Sequence, residues 1–167
     1  MELPLRTIIT FLALLTTGLS AGLFYAWQVS VISGTKRVSD QSYLETMQHI
    51  NRAILNPWFM FIFIGALAFL IWSTYLHYQM VDKGVFILLL LATLSYAGGT
   101  FAVTAAGNVP LNNWLDSINL TALIDLRLVE IRANYEVKWN RYHLIRTVFS
   151  VISFSLLLVA LLTQNKN

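Results

Sequence analysis

Four stretches of this 167-residue chain contain no Asp, Glu, Lys or Arg. They lie between Arg6 and Lys36, Arg52 and Asp82, Lys83 and Asp116, and Arg146 and Lys166. Each is about as long as, or longer than, the roughly 20 apolar residues that cross a bilayer as a helix. Only helices and closed barrels satisfy their backbone groups inside lipid, and runs this long suit helices. Charged residues make up 11% of the chain and hydrophobic ones 57%, against about 25% charged in soluble domains. The pattern predicts an all-α fold, a four-helix transmembrane bundle with spans near 7–32, 57–78, 85–106 and 144–163. A single integral membrane domain over 1–167 is expected, with lipid contact replacing most of a soluble core. The first apolar run is too long and too rich in Gly and Thr to read as a cleaved signal peptide.

The chain has no cysteine, which excludes disulfides, thiolate metal sites and thiol nucleophiles. Its net charge of +3 and pI near 9.3 would suit nucleic acid in a soluble protein. Here the basic residues flank the apolar runs and read as topology signals. The expected partners are therefore the bilayer and a lipophilic small molecule, not nucleic acid. Arg6, Lys83 and Lys166 fall on the face that carries both termini. Lys36, Arg37, Arg52, Arg127, Arg132, Lys138, Arg141 and Arg146 fall on the other. The positive-inside rule then places loops 33–56 and 107–143 in the cytoplasm.

The connections are unequal. A tight turn around Val81–Gly84 joins the second and third spans, whereas the other two loops are long. The first carries a helix over about 42–55, in which Ser42 and Glu45 form a capping box. Tyr43, Met47, Ile50 and Ile54 recur in it at helical spacing. Asn56 is the expected N-cap of the second span, with Pro57 at its first position. The third loop opens with N-V-P-L-N-N-W, read as non-helical because Pro110 lacks a donor and restricts Val109. It continues as an amphipathic helix over about 121–134, and its running on into the fourth span is left open.

Within the membrane, Gly18 and Gly22 give a G-x-x-x-G spacing for close helix approach, with Tyr25 and Gln28 on the same side. Thr93, Tyr96, Thr100 and Thr104 form a polar stripe that ends at Asn108. Trp58 marks one membrane interface and Trp72, Tyr75 and Tyr78 the other, with His77 among the latter. At the mouth of the fourth span, Glu136, Trp139, His143, Arg146, Thr147 and Ser150 share one helical arc, with Asn140 at its edge. Ionisable groups at that depth are costly and point to function, although Arg146 near the hydrocarbon edge reads equally as a snorkelling residue.

Asn108, Asn112 and Asn113 fall on the same membrane side, as do Gln48, Asn51 and Arg52. They would either orient a ligand or tie the loops to the bundle. No H-x-x-H or E-x-x-H spacing supports a metal, so a haem or histidine-ligated metal through His143 and His49 is the lesser alternative and no metal site is predicted. No phosphate loop, nucleophile elbow or carboxylate pair occurs. The residues describe a small apolar cavity among four helices, suited to a flat ligand with a few oxygens.

Four segments carry a resemblance: A-G-L-F-Y-A-W at 21–27, M-Q-H-I-N-R-A-I-L-N-P at 47–57, G-N-V-P-L-N at 107–112 and W-N-R-Y-H-L-I-R-T at 139–147. In order and spacing they resemble the four-helix membrane proteins of the DUF1772, or anthrone oxygenase-like, family. Ser33-Gly34 departs from it, since a proline commonly precedes that glycine. The resemblance implies an oxygenase converting an anthrone to an anthraquinone. An anthrone methylene is acidic, and its enolate can react with O₂ directly, so the substrate could supply the electrons that a metal or flavin otherwise would, and the cofactor is left open. On that reading His143 is the general base, and Arg146, Asn108, Asn112 and Asn51 stabilise the oxyanion. Trp139 packs on the ring plane, and Asn140, Gln48, Tyr25, Gln28, Tyr96 and Thr100 line the substrate site. Two other readings stand beside it: a protein that holds a quinone, haem or lipid without transforming it, and a structural subunit that docks a partner enzyme.

Overall fold

The computed structural model describes residues 4–78 and 83–164. Five helices account for most of them: α1 Leu5–Thr35, α2 Asp40–Ala53, α3 Pro57–His77, α4 Lys83–Asp116 and α5 Asp125–Gln164. Helices α1, α3, α4 and α5 are each long and apolar enough to cross a membrane. They pack in a ring in that order, with α5 returning to α1. The protein is an all-α, multi-pass membrane bundle. Residues 81 and 82 of the turn expected at Val81–Gly84, and Lys166, lie outside the described residues.

Two boundaries differ from the sequence reading, and one that it left open is resolved. The N-V-P-L-N-N-W segment is helical, because α4 continues through it to Asp116. Two wide π-helical stretches, Ser95–Ala102 and Thr104–Asn108, precede the proline. Their i→i+5 register shifts the carbonyls that a proline ring would meet in a regular α-helix. Pro110 then sits in the first turn of the α-helical segment Val109–Asp116, where its missing N–H costs little. Helix α2 is capped by Ser39, whose Oγ accepts from the Ser42 amide. Ser42 is therefore not the cap, and Glu45 instead accepts from Gln41 Nε2. Finally, the amphipathic stretch near 121–134 and the last span are one helix of 40 residues. At 1.5 Å per residue α5 is about 60 Å long, roughly twice the hydrocarbon thickness, so its N-terminal half stands clear of the membrane. Asn56 caps α3 as expected, accepting from the Phe59 amide.

The molecule has two apolar cores. The membrane core gathers Ala13, Phe24, Phe63, Leu70, Leu89, Tyr96 and Leu157 from all four spans. Hydroxyl pairs cross it, Thr10 with Ser73, Ser20 with Tyr96 and Thr74 with Thr93. The expected polar stripe from Thr93 to Asn108 faces inward throughout. So does His77 at the end of α3, buried and bonded to the Ser73 carbonyl. Of the two glycines in the G-x-x-x-G pair of α1, Gly18 is crowded, a Cβ there falling 2.9 Å from Phe154, and Gly22 is not. Helix α4 also runs close against α5, where a Cβ on Gly99 would lie 2.0 Å from Phe149 Cγ.

The second core is a cap formed by Tyr43, Leu44 and Met47 of α2, Leu115 at the end of α4, Leu120 beyond it, and Leu128, Ile131, Tyr135 and Trp139 of α5. Arg132 fastens it, donating to the Thr35 and Val38 carbonyls and pairing with Asp40 and Glu136. Its guanidinium lies 4.5 Å from the Tyr43 ring centre. Burial first, and then Glu136, push the Tyr43 phenol above its ordinary range.

Candidate functional site

A cavity of about 160 Å³ opens at the seam between the two cores, a volume on the scale of one small aromatic ring. Phe24 and Trp27 of α1, Thr104, Asn108 and Asn112 of α4, and Trp139, His143 and Arg146 of α5 line its interior. Asn51, Ile54, Leu55 and Phe59 close it from the α2–α3 connection. The α5 residues reach it because Tyr135, Trp139, His143 and Arg146 follow at intervals of three and four, one face of a helix. The wide turn at Trp27–Val31 ends α1's regular register just beyond Phe24, whose carbonyl meets His143.

His143 is fully buried. Its Nδ1 accepts from Arg146 Nε at 3.1 Å and Nη2 at 3.0 Å, and its Nε2 lies 3.1 Å from the Phe24 carbonyl. A guanidinium only donates and a carbonyl only accepts. These partners fix the neutral tautomer with the proton on Nε2. Trp139 stacks on the imidazole at 5.1 Å with an interplanar angle of 8°. Trp27 approaches both rings.

Arg146 is 8% exposed. Among the described residues no carboxylate pairs with it. Its guanidinium lies 4.6 Å from the Phe24 ring centre and 5.1 Å from that of Trp139. Two such contacts supply up to about 2 kcal/mol each, whereas taking a cation out of water costs several kcal/mol. A deficit remains that an anionic ligand would offset. Two of its five N–H donors face His143, leaving three for such a ligand.

The three asparagines do not act alike. Asn112 Oδ1 accepts from Tyr135 Oη and Trp139 Nε1 at 3.0 and 2.9 Å. Those two donors pin its amide, leaving the Nδ2 donor free to turn outward. Asn51 commits Nδ2 to Tyr135 Oη, and Asn108 commits its own to the Trp139 carbonyl. Asn108 Oδ1 is left buried with no partner. The site therefore presents donors at Arg146 and Asn112 and an acceptor at Asn108, all against aromatic walls.

Of the remaining residues singled out from sequence, few join this cavity. Gln48 ties α2 to the Leu115 and Ile118 carbonyls. Tyr25 is exposed on the outside of α1. Tyr96 is bonded to Ser20 and the Phe63 carbonyl within the membrane core. Thr100 donates to the Arg146 carbonyl, supporting the helix and not the lumen. Neither Gln28, with a buried Oε1 lacking a partner, nor Asn140 lines the cavity. His49 is exposed in a separate polar cleft with Glu45 and Asn119, so it and His143 do not converge on one ligand. Among the described residues no group of three His, Cys, Asp or Glu side chains gathers. Sequence reasoning missed Tyr135, although it lies four residues before Trp139 on the same helical face. It also passed over Phe24 and Trp27 as site residues, though both stand in the A-G-L-F-Y-A-W segment at 21–27.

A family model described as anthrone oxygenase matches residues 58–156, well over half of the chain. The chain belongs to the anthrone oxygenase family. No curated protein and no solved structure matches it. The anthrone oxygenase match spans α3, α4 and most of α5, and so contains Asn108, Asn112, Trp139, His143 and Arg146. Phe24, Trp27 and Asn51, which complete the walls in this family member, lie outside it.

Proposed function

We propose that the cavity is the active site of a membrane oxygenase acting on an anthrone-like substrate, a lipophilic aromatic compound whose acidic methylene lies between two aryl rings and is conjugated through them to a carbonyl, with one ring seated in the interior and the rest lying toward Leu23 and Leu55. The observation that carries this reading is Arg146, a buried guanidinium inside an aromatic pocket with no carboxylate partner among the described residues. Deprotonating such a substrate moves negative charge onto its carbonyl oxygen, and preorganised donors in a dry site stabilise that charge. Arg146 and the Asn112 amide supply them. As the guanidinium turns to the oxyanion it releases His143 Nδ1, which takes the proton from carbon as general base. The carbanion gives its electrons to O₂ to form a hydroperoxide. Loss of water then leaves a carbonyl where the methylene stood, so one O₂ yields one ketone oxygen and one water. Trp139 and Phe24 hold the ring plane. The loops 33–56 and 107–143 face the cytoplasm in this reading, following the excess of Lys and Arg there.

The test is anthrone turnover by the purified chain in phosphatidylcholine vesicles, followed by O₂ uptake and anthraquinone absorbance. Replacing Arg146 with Met is expected to lower the rate about 10²–10³-fold. His143→Gln is expected to lower it by about 10²-fold or more. Full turnover by both variants would remove these assignments. A second reading follows from one observation, that both nitrogens of His143 are already bonded. The same pocket would then hold the ligand without reaction, and the wild-type chain would bind anthrone yet consume no O₂.

A further inference from the structure

The cavity has two rims of opposite character. Toward water, Arg52 and Asp116 stand at its edge and pair at 2.6 Å, joining α2 to the end of α4. Gln48 reinforces the same crossing through the Leu115 and Ile118 carbonyls at 2.8 and 3.0 Å. The polar side is thus latched by three bonds between the two elements that flank it.

The other rim is apolar. Leu23 and Leu55 line it and are 39% and 71% exposed. Leu23 ends the exposed row of Leu5, Ile8, Phe11, Leu15 and Leu19, the face that α1 turns to lipid. Trp58, 81% exposed, lies three residues beyond Leu55, and exposed tryptophans settle at the headgroup level. The rim is therefore at the depth where flat amphiphilic rings accumulate in a bilayer.

We infer that the ligand reaches the cavity sideways from the bilayer, between Leu23 of α1 and Leu55 of the α2–α3 connection, while the Arg52–Asp116 side stays shut. The inference rests on the reading of the cavity as a site for a lipophilic aromatic molecule. A leucine pair that forms the passage and not the seat changes entry and exit equally.

The experiment is temperature-jump relaxation of tryptophan fluorescence in phosphatidylcholine vesicles containing the full chain and anthraquinone, a quencher that would lie beside Trp27 and Trp139. The Leu23→Phe, Leu55→Phe double variant should slow association and dissociation together, by about tenfold, with Kd unchanged. The Leu23→Ala, Leu55→Ala variant should speed both, and Asp116→Asn, which keeps the two Gln48 bonds that hold the polar side shut, should leave both at the wild-type values. Faster rates in Asp116→Asn with no response to the leucine variants would show entry from water and overturn the portal. Leucine variants that alter Kd through dissociation alone would place those side chains in the seat, and the portal would fall in that case too. A wild-type chain that shows no quenching overturns the reading of the cavity, and the portal with it.

Discussion

Asn108 carries a cost that only a ligand would remove. Its Nδ2 makes one 3.3 Å bond to the Trp139 carbonyl, and its Oδ1 is buried without a partner. An unsatisfied buried acceptor costs about 1–3 kcal/mol, more than that long bond returns. Asn108→Leu, of similar volume, is therefore expected to stabilise the ligand-free chain by about 1 kcal/mol. It should also weaken binding of a hydroxylated aromatic ligand about tenfold, the worth of one hydrogen bond. Thermal melting in detergent and a quenching titration would read the two effects, and a fall in melting temperature would contradict the account. Tyr135 differs, because its hydroxyl joins Asn51 to Asn112. Tyr135→Phe leaves both amides short of a partner and should cost about 1–3 kcal/mol in the same melting assay. Sequence alone brought His143, Arg146, Trp139 and the asparagines to one membrane side, since helical spacing and loop placement are local facts. Which end of each amide faces the lumen was not legible. That depends on Tyr135 Oη and a carbonyl of α5, partners 23 to 84 residues away in the chain.

Among the elements, α4 and α5 approach closely at Gly99. A Cβ there would meet Phe149 Cγ at 2.0 Å, with two further side-chain atoms at 2.4 Å, far inside contact distance. Gly99→Ala should therefore destabilise the bundle by about 1–3 kcal/mol, the range for overpacking. Adding Phe149→Ala should recover part of that loss, since the two sites share one space. A double variant no better than the sum of its parts would refute the contact. The four spans were readable because charge-free runs report on lipid directly. The course of α4 past Pro110 was not, because a proline stops a regular α-helix and nothing local announces a change to wider turns. The continuity of α5 was half visible: the amphipathic period and the apolar run were each clear, and their junction carries no breaker.

At the scale of the whole molecule, the absence of cysteine makes sidedness simple to measure. Single cysteines at Thr46, in α2, and Asn134, on exposed α5, should react with an impermeant thiol reagent from one face of sealed vesicles. One at Lys83 should react only from the other. Labelling of all three from the same face would contradict the four-span bundle, and the face that reacts at 46 in intact cells fixes the orientation. The architecture of two cores meeting at a seam has a consequence for how such proteins diversify. The membrane core closes on its own helices and takes no side chain from α2. A chain with an altered cap would still insert and persist, differing only in what its cavity accepts. Inheritance can thus rework one end of the molecule for a new compound while the half that anchors it in the bilayer stays as it was.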